Sequence, residues 1–239
     1  MEKKSIWRSA LPLLVFSIIA GLCLGLVYLF AKPSINKAEL NFKLQSIKKV
    51  LEDPITGELL VASSEIPDSL KELEELVWRE SSEGVLAEYD SLKAKVHSPA
   101  YLFRSKKDEE IYVLEGSSVG YGGSVVVLAA FVKVGDDFRL NGIRVTSYSQ
   151  ETPGLGAKIG EEKIMKRFYP VEPEGLRKGL KVNKDANVVP TEDEEKMRYL
   201  REHEGIIQTS DVMTGATLTP RAVVNAINAM YRYLKEQEG

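Results

Sequence analysis

From Leu11 to Ala31 the chain carries no charged side chain. At about 1.5 Å per residue such a run covers roughly 31 Å, the thickness of a bilayer's hydrocarbon core, and predicts a transmembrane helix. A cleaved secretory signal has a shorter apolar region and a small-x-small cleavage site, whereas Leu29-Phe30-Ala31 offers one small residue. Cys23 follows Leu22 deep inside the run, which argues against a lipoprotein signal. Beyond the span, Leu40, Leu44, Ile47 and Leu51 recur at helical spacing with Lys43, Lys48 and Lys49 off the stripe. The helix is therefore expected to run on as a stalk ending near Asp53-Pro54. Ser69 with Glu72 forms a capping-box signal ahead of Leu70, Leu73, Leu76 and Val77, predicting a second helix. Its acidic residues Glu72, Glu74, Glu75 and Glu80 read as a solvated face.

From Ala100 the period shortens. Tyr101 to Arg104 and Ile111 to Glu115 read as strands joined by the charged turn Ser105 to Glu110. Ser124 to Val134 is a longer β-branched run, Gly135-Asp136-Asp137 a turn, and Arg139 to Tyr148 its antiparallel partner, with a possible bulge at Asn141-Gly142. Helix signals return at Glu161 to Tyr169, and Thr191 to Glu204 reads as a short surface helix. Short strands are expected at Leu180 to Val182 and at Gly205 to Thr209. Finally Val223, Ile227, Met230, Tyr231 and Leu234 recur at helical spacing behind Thr219, a natural N-cap, and Pro220, a natural first helical residue. Short connections favour antiparallel pairing. The pattern gives an α+β fold, a twisted, mainly antiparallel sheet flanked by helices, behind a single N-terminal transmembrane helix. Its expected organisation is a cytoplasmic N-terminus at 1–10, the span at 11–31, a helical stalk and accessory region at 32–99, and the main domain at 100–239.

Composition narrows the chemistry. The formal charge is -3, from 32 Lys plus Arg against 35 Asp plus Glu, and no aromatic-interleaved basic patch points to nucleic acid. The sole cysteine, Cys23, lies in the apolar run, which excludes an intrachain disulfide and a cysteine-ligated iron–sulfur or zinc site. His97 and His203 are the only histidines, so a histidine-rich metal site is not expected, and no Gly-x-Gly-x-x-Gly fingerprint is present. Redox chemistry in this chain would rest on a bound organic cofactor.

Two segments carry candidate chemistry. Asp211-Val212-Met213-Thr214-Gly215-Ala216-Thr217-Leu218-Thr219-Pro220 opens the last helix, whose first turn has free N–H groups and the positive end of the macrodipole. A phosphate is stabilised in such a place, beside Thr214 and Thr217, with Gly215 and Ala216 allowing close approach. The same residues also make an ordinary turn and cap. Glu151-Thr152-Pro153-Gly154-Leu155-Gly156-Ala157-Lys158 contains two glycines and a proline, a fixed turn that lets backbone approach a planar ligand.

Asp-x-x-Thr-Gly-Ala-Thr-x-Thr followed by Arg221-Ala222-Val223 resembles the flavinylation motif of the FMN-binding domain in the G subunit of the Rnf electron-transport complex. Its homologue, the C subunit of sodium-pumping NADH:quinone reductase, shares it. Glu151 to Gly156 resembles the family's Glu-Thr-Pro-Gly-Leu-Gly loop, and Gly120-Tyr121-Gly122-Gly123 the start of its domain. The stretch from Asn183 to Glu204 bears no motif.

The resemblance implies FMN held by a phosphoester to Thr217, installed from FAD by a separate flavin transferase. It further implies electron relay between ferredoxin and NAD in an ion-translocating membrane complex, with other membrane and iron–sulfur subunits as partners. Implied neighbours of the flavin are Tyr121, Glu151, Thr152, Gly154, Leu155, Gly156, Lys158, Asp211, Thr214, Gly215 and Ala216. Leu155 would pack on the ring. Lys158 would favour a reduced, anionic flavin or be an exposed loop lysine; Tyr121 would meet the ring or be an ordinary strand-edge aromatic. Asp211 would cap its loop or serve the transferase.

Orientation does not follow from charge, since Lys3, Lys4 and Arg8 precede the span and Lys32, Lys37, Lys43, Lys48 and Lys49 follow it. The resemblance implies a flavin domain on the outer face of the plasma (inner) membrane. The rival expectations are the quinone-reductase C subunit and a membrane-tethered binding or assembly protein without flavin.

Overall fold

A computed structural model describes residues 3–238, and side chains from residue 10 onward. Met1, Glu2 and Gly239, the ends of the expected 1–10 and 100–239 segments, lie outside the described residues. The chain divides into two compact units, Met1–Lys43 and Leu44–Gly239. Helix α1 spans Lys3–Val50. Within the first unit Leu11, Phe16, Leu22 and Phe30 are all exposed. Among the described residues α1 alone is long and apolar enough to cross a membrane.

In the second unit, Ile47, Val50 and Leu51 are buried. Helix α2, Leu70–Glu75, starts as expected, with Ser69 Oγ accepting from the Glu72 N–H at 3.4 Å, but it stops before Leu76. The Glu72 carboxylate reaches back to the Asp68 N–H at 3.0 Å rather than to that of Ser69. Val77 belongs to strand β1, Val77–Arg79.

The main sheet is antiparallel. Strands β3 (Ala94–Arg104), β4 (Glu110–Val119), β5 (Ser124–Val134) and β6 (Asp137–Ser147) form an up-and-down meander. Strand β1 and strand β2, Val85–Tyr89, both pair with β3, so the sheet begins upstream of residue 100. The bulge expected at Asn141-Gly142 is present: Phe131 faces Leu140 and Ala130 faces Gly142, leaving Asn141 as the extra residue. Its amide donates to the carbonyls of Val50 at 2.8 Å and Glu52 at 2.9 Å, which satisfies the end of α1.

Helix α3 is only Glu162–Met165, and helix α4 occupies Pro173–Lys178. Helix α5 spans Glu194–Glu204. Two short strands, β7 (Lys181–Val182) and β8 (Ile206–Ile207), pair in parallel. Helix α6, Leu218–Glu238, buries Val223, Ile227, Met230 and Leu234 against the sheet. Each such side chain contributes roughly 1.5–3 kcal/mol of transfer free energy. Gly116 on β4 lets α6 lie close, since a Cβ there would meet Met230 Cγ at 3.0 Å.

Candidate functional site: a threonine between two clefts

Three segments distant in sequence meet at the start of α6. Gly120–Gly123 is the turn between β4 and β5; residues 149–156 follow β6; residues 209–217 lead into α6. Glu151 joins them. Its carboxylate is buried, with Oε1 accepting from the Gly122 N–H at 3.1 Å and Oε2 accepting from the Thr219 hydroxyl.

The glycines are explained by this packing. A Cβ on Gly156 would overlap the Glu151 carboxylate and sit 2.8 Å from Thr219 Oγ1, and one on Gly122 would overlap the Gln150 carbonyl. The sequence pattern has Gly156 clearing space for a planar ligand; in the structure it clears space for Glu151 and Thr219. Gly154 and Gly215 are required for a different reason, φ of +75° and +85°, where side chains are strained.

Thr219 does not cap the last helix. Helix α6 starts at Leu218, and the Thr217 carbonyl accepts from the Arg221 N–H at 3.3 Å, so Thr217 holds the cap position. Thr219 lies in the first turn, buried, because its hydroxyl is the donor that the buried Glu151 carboxylate requires.

The Thr217 hydroxyl lies where two clefts meet. Each has a volume of about 440 Å³, within the usual range for small-molecule sites. Tyr121, Glu151, Thr152, Leu155 and Gly156 line one; Lys184, Val189, Ser210 and Thr214 line the other; Gly215, Ala216 and Thr217 line both. Tyr121 is 73% exposed, Leu155 45% and Leu218 42%, so apolar surface stands open on the Glu151 side.

Other expected residues are placed elsewhere. Gly154, Lys158 and Asp211 line neither cleft. The Asp211 carboxylate accepts from Arg167 at 2.7 Å instead of capping its own loop, and Arg167 also donates to the Gln208 carbonyl at 3.2 Å. This ion pair ties the loop to the segment after α3.

The sequence pattern missed Asn183, Lys184 and Asp185, which follow β7. Asn183 is buried; its Oδ1 accepts from the N–H groups of Thr209 and Ser210, and its amide donates to Ser210 Oγ at 2.8 Å. Lys184 Nζ donates to Thr217 Oγ1 at 3.2 Å. Asp185 accepts from Arg221 through both carboxylate oxygens, at 2.7 and 2.6 Å. The Arg221 guanidinium beside it holds the Asp185 carboxyl below its ordinary value. The parallel pairing of β7 with β8 creates this contact, which no local spacing announces.

Fold and site together define an FMN-binding protein, for residues 120–232 match the family described as the FMN-binding domain. All three converging segments lie inside that range. The chain is also similar to a crystal structure from Thermotoga maritima assigned as the RnfG subunit of an electron transport complex. The two are 41% identical, with a TM-score of 0.62, and the match covers 82% of this chain and 98% of that one. Two proteins named as the G subunit of an ion-translocating oxidoreductase complex are similar over nearly the whole length. That of Shewanella piezotolerans is 28% identical over 99% of this chain and 92% of its own. That of Pseudomonas aeruginosa is 26% identical over 97% and 89%. The chain belongs to the family of RnfG subunits.

Proposed function

We propose that this chain is the membrane-anchored, FMN-carrying electron-transfer subunit of an ion-translocating Rnf-type complex, with the flavin joined to Thr217 by a phosphoester. The observation that carries the reading is the position of the Thr217 hydroxyl. It stands at the helix start, at the meeting of two clefts, beside a lysine ammonium, while the neighbouring Thr219 is buried and committed to Glu151.

The residues present fit the cofactor. Thr217 offers the attachment oxygen, the start of α6 offers the N–H groups of Leu218 and Thr219 and the positive end of its dipole, and Lys184 offers a cation. Tyr121, Leu155 and Leu218 offer exposed apolar surface for a planar ring. Bound FMN would supply one- and two-electron chemistry; the protein would hold it, tune it and control access. Attachment forms a bond from the Thr217 oxygen to the FMN phosphorus of FAD and breaks the pyrophosphate P–O bond. AMP leaves, and the hydroxyl proton passes to a base on the flavin transferase.

The electron route between ferredoxin and NAD, through iron–sulfur and membrane subunits, is proposed from the family. So is the placement of the flavin domain on the outer face of the membrane. In-gel flavin fluorescence of the denatured full-length protein tests the assignment. The wild type is expected to fluoresce, and Thr217→Ala to be dark yet folded, because a surface hydroxyl contributes only about 1 kcal/mol. A fluorescent Thr217→Ala protein would overturn it.

A further inference from the structure

Three consecutive residues outside the recognised motif each grip a different part of the loop that carries Thr217. Asn183 fixes its start through Thr209 and Ser210; Lys184 contacts the Thr217 hydroxyl; Asp185 holds Arg221, one turn into α6. The grip is itself braced, since the N–H groups of Asp185 and Ala186 bond the Val182 carbonyl at 2.9 and 3.1 Å and the Asn183 N–H bonds the Ile207 carbonyl at 2.8 Å. Lys184 is exposed, and its side chain donates to Thr217.

We propose that Asn183-Lys184-Asp185 is the clamp that presents Thr217 for flavin attachment, and that Lys184 is the positioning cation for the resulting phosphodiester. This rests on Thr217 being the attachment site. An ammonium donor on Oγ1 occupies an oxygen lone pair, so the hydroxyl's own proton points away from Lys184, toward an incoming base. Once the ester forms, the same ammonium stands beside the phosphodiester anion and offsets its charge. Lys184 neither gives nor takes the proton. The Asp185–Arg221 pair prevents Arg221 from competing for that anion, because both carboxylate oxygens engage its guanidinium.

The experiment uses the full-length protein in detergent, a flavin transferase and FAD, with covalent FMN followed by intact mass against time. Lys184→Gln and Lys184→Glu are expected to slow attachment roughly tenfold to a hundredfold, the range for losing a charge-assisted hydrogen bond. Lys184→Arg should restore most of the rate. The far-UV spectrum and melting temperature should stay those of the wild type in all three, because the residue is exposed. Asp185→Asn, which frees Arg221 while keeping Lys184, should slow attachment less than Lys184→Gln. Wild-type rates in Lys184→Gln, or equal losses in Lys184→Arg and Lys184→Gln, would overturn the role of Lys184 while leaving Thr217 in place. Absence of FMN on Thr217 in the wild type would overturn both readings.

Discussion

Glu151 decides the local structure because a buried carboxylate cannot remain without donors. It takes one from the Gly122 backbone and one from Thr219, and thereby fixes two loops against the start of α6. Glu151→Ala would leave the buried Thr219 hydroxyl without its acceptor and the Gly122 N–H without its carboxylate partner, at a cost of about 1–3 kcal/mol. A lower denaturation midpoint and a loss of flavin attachment are the expected results; Glu151→Gln should be milder. An unchanged midpoint in Glu151→Ala would show that the loops are held by other contacts. The neighbouring glycines separate strain from crowding. Gly156→Val collides with Glu151 and Thr219, whereas a Cβ on Gly154 meets nothing and faces only an unfavourable positive φ. Flavin content measured by absorbance should therefore fall more in Gly156→Val than in Gly154→Val. The reverse order would place the ring over Gly154.

At the scale of elements, legibility follows locality. The run of β-branched residues from Ser124 and the adjoining turn predict β5 because strand and turn chemistry are both local, and Asn141-Gly142 marks a real bulge. Strands β1 and β2 are short and register-broken, and Trp78 of β1 owes its place to distant rings, Tyr112 at 4.8 Å and Tyr233 at 6.2 Å. No window of sequence contains that information. Thr219-Pro220 has cap chemistry and so misplaces the start of α6; tertiary demand from Glu151 takes Thr219 into the helix instead. Likewise Thr217 is legible as a motif residue, whereas Lys184 reaches it only through the β7–β8 pair.

The Asp185–Arg221 contact gives these elements a pH dependence. With its carboxyl held below the ordinary value, Asp185 adds stability that is fully present above about pH 4 and is lost as pH falls through the depressed value. Amide exchange, corrected for intrinsic rate, should show residues 183–188 and 209–221 losing protection below that range before β4 to β6 do. Simultaneous loss in all segments would remove the clamp as an independent unit.

For the whole molecule, the apolar part of α1 is the feature long and apolar enough to anchor the FMN-binding domain in a membrane. With a rise of about 1.5 Å per residue, even the stretch from Leu11 to Ala31 suffices to span the hydrocarbon core. The mature protein is expected to keep this segment and to fractionate with membranes. In spheroplasts, protease added outside should cut residues 44–238. A soluble species beginning near Lys32, or a domain protected until lysis, would contradict anchoring and orientation respectively. A flavin joined to Thr217, as proposed, would lie beside two open clefts and suit a relay, with partner subunits supplying donor and acceptor chemistry.

The claim on which the rest depends is the bond at Thr217. Peptide mass mapping of the protein purified from its native membrane reads it directly. The peptide containing Thr214, Thr217 and Thr219 should carry one FMN phosphoester, with fragment ions assigning it to Thr217. FMN mass on Thr214 or Thr219, or a peptide of unmodified mass, would contradict it.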